Sequence, residues 1–288
     1  MSQLQVGRIT IRWLYDNDFH LDGGAMFGVV PRILWRRRYP ADEQNFIPLC
    51  ARPLLVTTPD ARVLIETGLG NRLTDKQRRN FGVRGPSGLE ASLAQAGLTR
   101  DDIDIVILTH LDFDHCSGNV LAGEDGRLEP AFPRARYLVQ RRELEDALSP
   151  NIRSVNTYWA DNLRPVLDRG LFETVDGEVQ VVPGIRLVLT GGHTRGHQVV
   201  LMESEGETVL HMADLQPTHA HDNPLWVMAY DNYPLDSVHQ KQMWLERARS
   251  RGWWVTFYHD PFVLAGRWNE AGELVERIDG HRAAELAG

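Results

Sequence analysis

Residues 107–119, ILTHLDFDHCSGN, place His110, Asp112, Asp114 and His115 within six positions directly behind an apolar run. In extended backbone, residues i and i+2 point to the same side. His110 and Asp112 therefore leave the end of a strand able to reach one ion. The adjacent pair Asp114 and His115 points apart, which suits a second ion beside the first. A segment that offers both pairs predicts a dinuclear site, in which ions about 3.5–4 Å apart clamp a hydrolytic displacement.

The other candidate ligands lie far along the chain, each behind a predicted strand. LTGGHTRGHQ sets His193 after a strand at 185–190, between glycines that let the backbone turn sharply. VLHMADL closes a strand at 207–212 with Asp214, and TFYHDP closes one at 253–258 with His259. Each alone reads as a turn residue or a satisfied histidine. Four ligand-type clusters at the ends of four apolar strands read together as a metal site.

Around these points the chain alternates strand and helix signals. A strand is expected at 4–13, then a long loop at about 17–50 that would cover the site, because loops of that size usually act as lids or binding loops. Strands follow at 53–58 and 62–66, joined by Pro59-Asp60-Ala61, and helices at 73–80 and 88–97. DIDIVILT at 102–109 is short and nearly continuously apolar, as a buried strand should be. Further strands are predicted at 135–140 and 198–203, helices at 141–148 and 157–169, and an amphipathic helix at 237–252 ending on Gly252. No repeat or linker-like stretch interrupts residues 1–288, so a single domain is expected, built of two β-layers with helices outside.

Composition narrows the partners. A formal net charge of −8 argues against nucleic acid or an anionic membrane, and the run Arg36-Arg37-Arg38 reads as a solvated loop. Two cysteines, Cys50 and Cys116, are too few for a disulfide framework. With no signal-peptide pattern and no run of about 20 apolar residues, a cytoplasmic location is expected. A small-molecule substrate is the expected partner, and a homodimer is compatible with the chain.

The order THLDFDH, GGHTRGH, MADL, FYHD resembles the metallo-β-lactamase superfamily of hydrolases, from VLIETGLG at 63–70 to His259. That resemblance implies an α+β fold, a four-layer αββα sandwich with two metal ions between the sheets. Carried over by position, it implies one ion at His110, Asp112 and His193, and a second at Asp114, His115 and His259, with Asp214 bridging. Zinc is the implied metal. GGAMFGVVPRILW, IPLCARPLLV and PTHAHDNPLWVMAYDNYP resemble the branch containing N-acyl-homoserine lactonases and methyl parathion hydrolase.

Three letters depart from the family pattern. Asp112 stands where a histidine is usual, Arg195 where proline is common, and Glu66 where an aspartate is usual. With three aspartates, a bridging hydroxide would bring two divalent ions to neutrality, whereas a histidine at 112 would leave one positive charge. A carboxylate also tilts selection toward manganese or iron, although zinc accepts it. The function expected is hydrolysis of a lactone or ester by a metal-bridging hydroxide, with Asp114 and Asp214 catalytic. Organophosphate triester hydrolysis is the alternative, and di-iron oxygen chemistry is the alternative of another class.

Among the remaining residues, His197 reads as a partner that orients a ligand. His221 reads as a substrate contact, with His219 a weaker candidate and His211 a structural residue. Tyr230 and Tyr233 are candidates to donate to a developing oxyanion. Phe27, Trp35, Phe46 and Trp226 would form an apolar pocket or anchor the two long loops. Cys116 reads as packing.

Overall fold

The computed structural model describes residues 2–123 and 125–286. Two seven-stranded sheets dominate it. In the first, Leu54–Thr57, Arg62–Ile65 and Ile105–Ile107 lie at the centre, and the last two run parallel. Their side chains are buried on both faces, which is why the sequence here is apolar without alternation. Val63, Ile65, Ile105 and Ile107 point between the sheets and meet Ile185, Leu187, Val200 and Val209 of the second sheet. Leu64 and Val106 point outward, against Leu89 and Leu93 of the helix Leu89–Gln95 and Leu144 and Ala147 of the helix Arg141–Leu148. On the far side, Val199, Leu201, Leu210 and Val255 of the second sheet receive Trp244, Leu245 and Ala248 of the helix Pro234–Arg251. These three cores define helix, sheet, sheet and helix layers, the αββα sandwich expected.

Several local expectations change. Residues 4–13 form two antiparallel strands, Gln3–Val6 and Ile9–Trp13. The segment 17–50 is not a structureless loop. Asn17–Asp22 pairs antiparallel with Phe46–Ala51, and short helices at Gly23–Phe27 and Arg32–Trp35 lie between them. Asn17, Phe19 and Leu21 face inward while Asp18, His20 and Asp22 do not, an alternation that the polar letters and Pro48 conceal. The expected helix at 157–169 shrinks to Arg164–Asp168. Pro165 lacks the N–H that would bond back into a preceding turn, so the helix can begin there but not continue through it. The hairpin Val263–Trp268 with Leu274–Asp279 adds two strands that the sequence did not announce, the second being almost wholly exposed.

Within the second sheet, Ile185–Leu189, Glu207–His211 and Trp254–Thr256 run in one direction. Their carboxyl ends therefore open on the same edge of the sandwich, and the residues that follow each strand gather there.

Candidate metal centre

The structure brings together all seven residues singled out as metal ligands. His110 follows the strand Ile105–Ile107, and Asp112, Asp114 and His115 lie on the single helical turn after it. His193 sits in the turn after Ile185–Leu189, where Gly191 and Gly192 adopt φ of 65° and 91°. Such backbone is open to glycine at little cost. Asp214 follows Glu207–His211 beside Ala213, whose φ of 44° is unusual for a residue with a Cβ. His259 follows Trp254–Thr256.

Two half-sites share one carboxylate. Asp214 Oδ2 lies 3.9 Å from His110 Nε2 and 3.5 Å from His193 Nε2. Asp112 Oδ2 joins the same half, 3.3 Å from His193 Nε2 and 3.9 Å from His110 Nε2. The other oxygen, Asp214 Oδ1, lies 3.3 Å from both His115 Nε2 and His259 Nε2. Asp114 Oδ2 completes that half, 3.5 Å from His259 Nε2.

The outer edges of the imidazoles decide which nitrogen carries the proton. His193 Nδ1 donates to Asp231 at 2.8 Å, and His259 Nδ1 donates to the Cys50 carbonyl at 3.0 Å. His110 Nδ1 donates to Thr109 Oγ1 at 2.9 Å, and that hydroxyl donates in turn to Glu66. His115 Nδ1 faces Glu66 Oε1 at 3.5 Å. With Nδ1 protonated in each ring, four Nε2 lone pairs converge on three carboxylates. The Nε2 atoms of His115 and His259 are 3.1 Å apart, and His110 Nε2, Asp112 Oδ1 and Asp214 Oδ1 have no hydrogen-bond partner. Acceptors facing acceptors in a buried place repel unless cations lie among them. The groups His110–His193–Asp214 and Asp114–His115–His259 each have the reach to hold one ion. Glu66 has that reach too, with His110 and His115; its Oε1 is committed to the N–H and hydroxyl of Thr109, while its Oε2 has no hydrogen-bond partner.

A fully buried carboxylate braces the two turns of the first half. Glu143 accepts from Leu111 N at 2.9 Å, between His110 and Asp112, and from Thr194 Oγ1 at 2.6 Å, next to His193. It also accepts from the Tyr158 hydroxyl at 2.9 Å. Tyr258 supports the second half, its ring 4.3 Å from that of His115 and its hydroxyl donating to the Asp114 carbonyl at 2.8 Å. Asp231, Glu143 and Tyr258 carried no signal in the sequence, because bracing contacts obey no spacing rule.

The cluster floors a cavity of about 350 Å³. Leu21, Met26, Phe81, Phe113 and Met228 give it an apolar side, and Arg153, Asn156, Tyr230 and Asn232 a polar one. Part of the 17–50 segment therefore does line the site. Tyr230 is at the cavity, as a donor to substrate would have to be. Tyr233 is not among the lining residues and instead begins the helix Pro234–Arg251, its N–H bonded to Gly192 O. His221 does not line the cavity either. It is fully buried, bonded through Nδ1 to Thr218 Oγ1 and through Nε2 to the Met26 carbonyl, with its ring stacked on Phe27. Burial pushes it down to about 3, so it stays neutral and ties the 219–230 loop to the 23–27 helix.

Phe27, Trp35 and Trp226 belong to that same anchoring core, whereas Phe46 stacks on His20 away from the cavity. His197 is buried behind His110, its Nδ1 paired with Thr190 Oγ1. Arg195 pairs outside the cluster with Asp146 and Glu145.

A fold of this topology with such a cluster on one sheet edge defines a class, and residues 53–251 match the model of the metallo-beta-lactamase superfamily. The chain belongs to that superfamily. It is 30% identical over 161 residues to the N-acyl homoserine lactonase AiiA of Bacillus thuringiensis subsp. kurstaki, covering 52% of this chain and 57% of that protein. It is 32% identical over 187 residues to the probable metallo-hydrolase Rv2300c of Mycobacterium tuberculosis, covering 58% of this chain and 57% of that one. The matches thus span little more than half the length of these curated relatives. Among solved structures, a probable metal-dependent hydrolase from Staphylococcus aureus superposes with a TM-score of 0.92 at 38% identity, covering 96% of this chain and 99% of that one. The dizinc quorum-quenching lactonase AidC superposes with a TM-score of 0.76 at 19% identity, covering 96% of each, which is a likeness of fold.

Proposed function

We propose that the protein is a dinuclear metal-dependent hydrolase of lactones or related esters. The convergence of four imidazole lone pairs and three carboxylates on one buried locus carries this reading. His110, Asp112 and His193 would hold one divalent ion and Asp114, His115 and His259 the other, with Asp214, which faces both groups, available to both. Zinc is the metal proposed, although the carboxylate of Asp112 tilts the shell toward manganese or iron. Two such ions, when bound, would acidify a water and polarise the oxygen of the group under attack.

The chain's own residues do the rest. Thr109, Asp231 and the Cys50 carbonyl hold the rings of His110, His193 and His259 by the far nitrogen and so fix where Nε2 points, while Glu66 faces the far nitrogen of His115 at 3.5 Å. Asp114 lines the cavity, where its carboxylate can take a proton and pass it to the leaving oxygen. Tyr230 is the side chain placed to donate to the charge that develops on the substrate. The apolar wall of Leu21, Met26, Phe81 and Met228 excludes water and receives an apolar substituent. The relatives named as N-acyl homoserine lactonases support a lactone as substrate. The cytoplasm remains the proposed location; among the described residues no helix is long and apolar enough to cross a membrane.

The test is elemental analysis of protein purified without added metal, paired with a panel of lactones, carboxylic esters and phosphotriesters. Two ions per chain and turnover of lactones ahead of the rest are expected. No turnover across the panel with both ions bound would overturn the reading.

A further inference from the structure

The short helix Arg32–Trp35 lies between the strands Asn17–Asp22 and Phe46–Ala51, in the segment that also sends Leu21 and Met26 to the cavity wall. Trp35 anchors the segment from one side, its ring stacked 4.9 Å from that of Phe27. Tyr39 anchors it from the other, its hydroxyl donating to the Pro48 carbonyl at 2.9 Å. Around these anchors the aliphatic side chains turn outward: Val29 is 90% exposed, Ile33 70% and Leu34 45%. Arg32, Arg36 and Arg37 are exposed among them and form no ion pair among the described residues. Arg38 instead pairs with Asp222 and lies over the Trp226 ring, joining this tip to the loop that carries Leu225, itself 66% exposed. Met26, Met228 and Tyr230 of the same two segments line the cavity. The tip and part of the cavity wall are therefore built from the same two segments.

Large aliphatic side chains gathered on one projecting segment mark a surface that something covers. Guanidinium groups without an ionic partner among the described residues, Arg36 donating only to the Ala41 carbonyl at 3.3 Å, narrow what that is. At a bilayer the aliphatic side chains enter the acyl boundary while the cations meet lipid phosphates. We propose that this tip docks the protein on an anionic lipid surface. A second copy of the chain is the weaker occupant, since a twofold contact sets each patch against itself and brings like charges together. The net charge of −8 describes the whole chain. Screening over about 8 Å at physiological salt leaves a docking surface to its local charge.

The experiment is flotation of the full chain with vesicles of phosphatidylcholine alone and of phosphatidylcholine mixed with phosphatidylglycerol. Flotation with the mixed vesicles at low salt is expected, weakening as salt rises. The double variant Arg36→Glu/Arg37→Glu should lose affinity by about fivefold or more per residue. Ile33→Ser/Leu34→Ser should lose it as well. Both variants should keep wild-type metal content and turnover of water-soluble substrate, so a failure here is distinct from a failure of the hydrolytic reading. Absence of flotation, or flotation equal on neutral vesicles and indifferent to both variants, would overturn the proposal. So would a dimer in solution that Ile33→Ser/Leu34→Ser converts to a monomer, because the tip would then be covered by a second copy.

Discussion

Asp112 is the residue at which the proposed choice of metal can be tested. Its Oδ2 approaches two imidazole nitrogens while its Oδ1 has no partner, so its place is inside the cluster and not behind it. Replacing it with alanine removes a charge and a donor atom from one half only. Asp112→Ala should retain one tightly held ion in place of two, whereas Asp112→His should retain two and shift toward zinc when offered zinc and manganese together. Elemental analysis after dialysis reads both outcomes, and wild-type stoichiometry and selectivity in both variants would remove Asp112 from the metal shell. The sequence showed this residue because ligand spacing at a strand end is a local property. It could not show Asp231 or the Cys50 carbonyl, which reach the same rings from 38 and 209 residues away. It also misplaced His221, since a histidine in a loop next to a ligand looks the same whether it faces the cavity or the core.

At the scale of elements, legibility followed burial. Strands covered on both faces, such as Arg62–Ile65 and Ile105–Ile107, announce themselves as apolar runs. Leu274–Asp279 is exposed on nearly every residue and had no pattern to read, and Asn17–Asp22 alternates only in burial, with polar letters on both faces. The helix Pro234–Arg251 was legible, but not its buried Lys241, whose Nζ donates to the Trp226 carbonyl at 2.6 Å and the His221 carbonyl at 3.4 Å. Burial lowers this lysine from its ordinary 10.5 to about 8. The folded state then holds fewer protons than the unfolded chain between those values, so this group makes stability rise with pH from about 8 to about 10.5. Chemical denaturation of wild type and Lys241→Met across that window should show the difference shifting in favour of wild type by an amount on the order of 3 kcal/mol. A difference that stays flat would mean that the two carbonyls hold the ammonium near its ordinary range.

Across the whole molecule, the cluster draws on both sheets. His110 to His115 follow a strand of the first sheet, and His193, Asp214 and His259 follow three strands of the second. Ions held there would tie the layers together at the open edge, and their binding energy would add to the stability of the folded state alone. Stripping the metal with a chelator should lower the melting temperature by on the order of 10 °C, restored by adding back the native ion. Calorimetry checks this, and an unchanged melting temperature after complete removal would count against a metal set between the layers.

The same distribution sets an order in time. The four candidate ligands at 110–115 leave the ribosome well before the others, but the imidazole of His259 belongs to the second half and emerges only after the strand Trp254–Thr256. A nascent chain shorter than that can offer an ion only an open, incomplete shell. Loading of a pair of ions would therefore follow synthesis of the second sheet, and metal occupancy would mark chains whose two sheets have already met.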